Sequence, residues 1–218
     1  YERREIKDAL AYLQVISNPD DTVAARRILN VPKRGIGAKA EEAIAAHAAH
    51  YGISFGAALR HLWLRAGCPA GEGEGIDVDA LARSTSPDEA SADSSAPEVL
   101  GITPRAAKSA AAFWGLIEML RAAEARGASQ ADILEEVLDR TGYLAELRRS
   151  EDPQDASRVE NLAELHSVAG AFAADAPGGT LADFLERVAL VADSDQVPAE
   201  GERGGQVTLM TVHTAKGL

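Results

Sequence analysis

A chain of 218 residues with 46% apolar and 26% charged side chains can build a substantial core in one domain or two. Its formal net charge of -12 excludes a protein that coats a polyanion over its whole surface, and no run approaches the roughly 20 consecutive apolar residues of a membrane span. Aromatic side chains make up only 5% and Ala and Leu lead the apolar set, which predicts an all-α fold, a compact multi-helix domain. One cysteine leaves no internal disulfide, and the N-terminus carries no signal-peptide pattern, so a cytoplasmic protein without a membrane partner is expected. The start on Tyr1 rather than Met reads as the edge of an excised piece.

In "REIKDALAYLQVIS", Ile6, Leu10, Leu13 and Ile16 fall at helical spacings, and Asn18-Pro19 ends the pattern. "DDTVAARRILNV" gives a short helix with Pro32 beyond its end, and Lys33-Arg34-Gly35-Ile36-Gly37 is a turn by its glycines. Further helices are expected from Ala38 to His50 and from Phe55 to Leu64. Residues 67 to 100 then turn rich in Gly, Ser, Pro and acids, a composition too poor in large apolar groups to offset its ordering entropy, so a mobile acidic insertion is expected there. Thr103 and Pro104 are a good N-cap and first helical residue for a stripe of Phe113, Leu116, Ile117 and Leu120. Ser129 and Asp132 make a near capping box, and Gly142 is placed to close that helix. Val159, Leu162, Leu165 and Val168 predict a long amphipathic helix, and Thr180 caps another through "LADFLERVALV". "QVTLMTVH", residues 206 to 213, is the one convincing strand, and a lone strand has no pairing partner within a helical chain.

The charge pattern singles out one place. Between Asp21 and Glu41 there is no acid, while Arg26, Arg27, Lys33, Arg34 and Lys39 all lie there, so the local sign opposes that of the chain. Gly-Ile-Gly between helices has the shape of a helix-hairpin-helix phosphate clamp: glycines let the backbone approach a nucleic-acid strand, and the next helix starts at Ala38 with its positive dipole end facing the same place. Lys33, Arg34 and Lys39 would add charge at the rim, giving sequence-independent, salt-sensitive binding. A plain helix-turn-helix bend with solvated lysines fits the tripeptide equally well. "GITPRAAKSAAAF" echoes the site with Thr103, Arg105 and Lys108, either as a second duplex contact or as a well-capped helix with solvated charges. His47 and His50 lie three apart, but with His61 and His166 they form no metal set, because no Cys or second His pair follows at ligand spacing. Cys68, at the mouth of the acidic segment, could bridge two copies in a redox-sensitive homodimer, or stay reduced and idle.

"YERREIKDALAYLQVISNPDD", "RILNVPKRGIG", "RVENLAEL" with "FLERVALVADSD", and "VTLMTVHTAKGL" resemble, in this order, the UvrD/PcrA/Rep-type superfamily 1 DNA helicases. The resemblance implies that residues 1–17 and 206–218 are edges of the second RecA-like motor subdomain, 2A, and that residues 18–205 are the helical 2B subdomain. It implies a duplex-binding, regulatory role in a 3′ to 5′ repair helicase, nucleoid-associated, with the 2A and 1B subdomains and DNA as partners. Dimerisation is also implied, so a protein-interaction module with incidental DNA contact is the alternative. Thr211, His213, Lys216 and Gly217 match the family's TxHxxKGLE box, which couples single-stranded DNA to the nucleotide site, although its Glu is missing here. No G-x-x-x-x-G-K-[ST] phosphate loop occurs, so this piece is expected to hold no cofactor and to be no motor, ATP and Mg belonging to the parent helicase. Swivelling of 2B would need hinges, for which Asn18-Pro19 and the Gly201 to Gly205 loop are candidates.

Overall fold

The computed structural model describes residues 3–67 and 96–194, which hold nine helices and no strand. They are α1 (Arg4–Ser17), α2 (Thr22–Ile28), α3 (Ala38–Tyr51), α4 (Phe55–Arg65), α5 (Pro104–Ala125), α6 (Gln130–Arg140), α7 (Tyr143–Arg149), α8 (Pro153–Asp175) and α9 (Leu181–Ser194). The all-α expectation holds for these residues. The expected strand at 206 to 213, the helicase box residues Thr211, His213, Lys216 and Gly217, Cys68, the Gly201 to Gly205 loop and most of the acidic segment lie outside them.

Local signals account for most helix starts. Asp21, Ser54, Thr103, Ser129 and Asp152 each accept a hydrogen bond from an amide of the following turn, which satisfies one of the donors a helix leaves orphaned there. Ser129 and Asp132 close a full capping box, and Thr180 bonds reciprocally with Asp183 at the start of α9. Gly142 turns the chain with φ 71°, between α6 and the short α7.

One apolar cluster joins all the helices except α7, which packs on it through the partly buried Tyr143, Leu144 and Leu147. α1 lies at its centre, in contact with α2, α5, α6, α8 and α9. Its predicted stripe captured only part of what it buries: Glu5, Asp8, Ala9, Ala11, Tyr12 and Val15 are buried with Ile6, Leu13 and Ile16, while Leu10 is only partly so. On α5 the predicted Phe113, Leu116, Ile117 and Leu120 are fully buried, with Trp114 beside them. Each such side chain contributes roughly 1.5–3 kcal/mol by leaving water. The α8 stripe drifts from expectation, because Leu162, Leu165, Ala169 and Phe172 face inward while Val168 stays exposed.

Burying acids on α1 requires partners. Asp8 accepts from Arg27 Nε at 2.8 Å and from the Tyr143 hydroxyl at 3.2 Å, and Glu5 accepts from Asn161 Nδ2 at 2.7 Å. Arg3 also donates to the Asn161 side chain. Burial, and then the Asp8 charge, push the Tyr143 hydroxyl well above the usual tyrosine range, so it remains a donor to Asp8 across the accessible pH range. The Asn18-Pro19 turn is enclosed as well: Gly56, at the start of α4, sits directly against the Pro19 carbonyl. Arg27 reaches back across this turn to Asp8, so α1 and α2 are held on both sides of the expected hinge.

α3 and α4 are joined by His47 Nε2 and His61 Nδ1, 3.0 Å apart. Both imidazoles titrate below the ordinary 6.5, first through burial, then for His47 through its His61 and His50 neighbours and for His61 through Arg60. A histidine depressed in the fold takes up its proton more readily when unfolded, so this stability is complete above about pH 6.5 and is lost as pH falls through the lowered folded values. Melting temperature should therefore drop between pH 7.5 and 5.5, and the His47→Gln/His61→Gln double variant should lose part of that dependence. An identical pH slope in the variant would contradict this.

Candidate nucleic-acid interface

The hairpin between α2 and α3 separates the basic residues that the sequence groups together. Arg26 pairs with Glu41 at 2.8 Å, and Arg27 pairs with Asp8 at 2.8 Å. Arg34, expected at the rim, turns inward. One guanidinium nitrogen donates to the carbonyls of Val31 at 3.0 Å, Ile28 at 3.2 Å and Pro32 at 3.2 Å, the other to the Tyr12 hydroxyl at 2.6 Å. Its carbon lies 5.0 Å from the Phe113 ring centroid and 5.9 Å from that of Tyr12. The physical reason is that α2 ends in carbonyls needing donors, and a planar five-donor fork can serve several at once. Lys33 and Lys39 remain exposed and take part in no ion pair among the described residues.

The turn itself is built by Asn30, whose side-chain oxygen accepts from the amides of Arg34 at 2.7 Å and Ile36 at 3.3 Å. Ile36 is buried in the core and anchors the tip between its glycines. Gly35 has φ 74°, a left-handed conformation that calls for glycine. Gly37 is different. Its φ of -85° suits any residue, and a Cβ there would meet nothing within 4 Å. It is the N-cap of α3 without any side-chain cap, and the first-turn amides of Ala38 and Lys39 donate to no group among the described residues.

The second predicted contact is less open. Thr103 and Arg105 are exposed, as is Lys108, but the Thr103 hydroxyl already accepts from the Ala106 amide at 3.3 Å. The loop leading into it runs against α3, since a Cβ on Gly101 would lie 3.9 Å from that of Ala43. No group of three or more His, Cys, Asp or Glu side chains arranged for a metal occurs among the described residues.

Three stretches far apart in sequence converge beside the hairpin. A cleft of about 250 Å³ is lined by Arg4 and Asp8 of α1, by Asn30 to Lys33, and by Asp155 and Arg158 of α8, with Tyr143 and Glu146 of α7 as a fourth wall. Sequence reasoning missed this junction. The available signal was the shared presence of "YERREIKD", "VPKRGIG" and "RVENLAEL", but nothing in their separate compositions says that they touch.

The chain matches the UvrD-like helicase C-terminal domain over residues 1–67 and 103–218. It is 42% identical over 235 aligned residues to the ATP-dependent DNA helicase UvrD1 of Mycobacterium tuberculosis, covering 100% of this chain and 25% of that relative. The ATP-dependent DNA helicase PcrA of Bacillus subtilis is 36% identical over 221 residues, with 100% and 25% covered, and PcrA of Staphylococcus epidermidis is 34% identical over 220 residues, with the same coverage. The chain thus spans about a quarter of the curated relatives it matches. A match over nearly its whole length makes this chain a member of the UvrD-like helicase C-terminal domain family.

Proposed function

We propose that this chain is the 2B region of an ATP-dependent 3′ to 5′ DNA repair helicase and grips duplex DNA ahead of the fork through the hairpin. Lys33, Gly35, Ile36, Gly37 and Lys39 form the phosphate clamp, with Thr103, Arg105 and Lys108 as a weaker second contact. ATP and Mg act in the parent protein, outside this chain, whose sequence holds no phosphate loop. Residues 1–17 and 206–218 adjoin the 2A subdomain, and rotation of the helical body against the motor sets its active or inhibited state. The Arg27–Asp8 pair bridges Asn18-Pro19, so α1 travels with the clamp rather than swivelling away from it. The relatives' names as DNA helicases support the reading.

The observation that carries it is Gly37. Neither its backbone angle nor its immediate surroundings require glycine; glycine is a favourable N-cap, and it also leaves the start of α3 open to close approach from outside. Gly37→Ala should cost the fold no more than about 1 kcal/mol, alanine being the poorer N-cap at a position with room for its methyl group. It should nonetheless weaken binding to a tailed duplex about tenfold, by holding phosphate away from the α3 amides. Differential scanning calorimetry and fluorescence anisotropy check the two halves, and an unchanged affinity would reject the clamp.

A further inference from the structure

We infer that Arg34 is a positioning residue, an internal strut that holds the hairpin in its phosphate-ready shape and ties that shape to α1, and is not itself a phosphate contact. The inference rests on the duplex-grip reading and changes the role of the residue whose charge most suggested DNA. Its guanidinium gathers the carbonyls of Ile28, Val31 and Pro32, the last residues of α2 and the approach to the turn, at 3.0 to 3.2 Å. One guanidinium nitrogen meets all three carbonyls, a task a lysine ammonium could share, but a lysine has no second nitrogen for the Tyr12 hydroxyl and no plane to set against two rings. The Tyr12 hydroxyl completes the strut: it accepts from Arg34 at 2.6 Å and donates to the Val31 carbonyl. Tyr12 is 2% exposed and sits in the middle of α1, so the hairpin is referenced to the most deeply packed helix of the domain. Phe113 of α5 closes the other side.

With Arg34 facing inward, the surface contact falls to Lys33, Lys39 and the α3 amides. Loosening the strut should cost affinity by disordering the clamp, without removing a counterion-releasing charge. These effects separate in salt dependence, because the slope of log affinity against log salt falls by about one for every phosphate the protein ceases to neutralise.

The test uses the 218-residue chain with a tailed duplex, over a series of salt concentrations, with Arg34→Gln and Tyr12→Phe as variants. Tyr12 is too buried to touch DNA, and its substitution removes no charge, so it keeps the experiment decisive if Arg34→Gln folds poorly. Hydrogen exchange at the Arg34 and Ile36 amides, both bonded to Asn30, reads hairpin order without DNA. Both variants should bind about tenfold more weakly with the parent salt slope, and those amides should exchange faster. A slope flattened by about one in Arg34→Gln, with exchange unchanged, would make Arg34 a direct contact and overturn the proposal. So would parent-level affinity in both variants while Lys33→Ala/Lys39→Ala binds weakly. Affinity indifferent to the lysine pair as well would instead sink the duplex-grip reading, and this proposal with it.

Discussion

Gly56→Ala is expected to destabilise the domain by about 3 kcal/mol or more, at the top of the range for inserting a methyl group into a packed interior. Alanine is normally the better helix former, by about 1 kcal/mol over glycine in a helix interior. Here a Cβ would overlap the Pro19 carbonyl oxygen and stand 2.9 Å from Trp114 Cη2. Neither neighbour is free to retreat. Pro19 belongs to the turn that α1 and α2 hold on both sides, and Trp114 is 1% exposed with its indole N–H bonded to Glu118 at 2.9 Å. The collision therefore falls on backbone and a locked ring, and relieving it means moving α4 away from the α1–α2 turn. Denaturant unfolding measures this directly, and a variant as stable as the parent would show that the turn yields.

The position also bears on function. If residues 18 and 19 were a working hinge, a helix start would not be expected to pack glycine-close onto the carbonyl between its arms. This packing ties the α1–α2 turn to the start of α4.

How far the sequence revealed this architecture depended on how local each determinant was. Helix ends set by a side chain reaching its own next turn were legible, as Thr103, Ser129 with Asp132, and Thr180 show. The α5 core stripe was legible because Phe113, Leu116, Ile117 and Leu120 share one face of a long helix. α7 was not, since its seven residues are too few to show a periodicity and none of them is buried. The buried Glu5 and Asp8 were also hidden: a charge on the apolar face of α1 looks solvated until Asn161 and Tyr143, far along the chain, arrive to bond it.

The hairpin shows the same division. Its glycine turn and the helix that follows were visible in "KRGIGAKA", and so was its reversed charge. What sequence counting could not supply was which cations remain available. Glu41 lies fifteen residues beyond Arg26, Asp8 nineteen before Arg27 and Tyr12 twenty-two before Arg34; Arg26 and Arg27 stay exposed but each holds a carboxylate, and Arg34 alone turns inward. The cations left without an ion pair at the hairpin among the described residues are fewer than the sequence suggested, Lys33 and Lys39 near the uncapped start of α3.

The second large effect follows from that reduced footprint, and measuring it tests the clamp most directly. Tailed-duplex binding by the parent chain and by Lys33→Ala/Lys39→Ala should be followed by anisotropy across a range of salt, with Arg34 left in place. Removing two charges that neutralise phosphate should lower the slope of log affinity against log salt by about 2 and weaken binding about 10- to 100-fold at low salt. Because both side chains are exposed and unpaired among the described residues, stability should stay within about 0.5 kcal/mol of the parent. A flattened slope on an intact fold is the result expected of a phosphate clamp. Equal slopes and equal affinities in the two proteins would contradict it, and would remove the hairpin from the DNA interface.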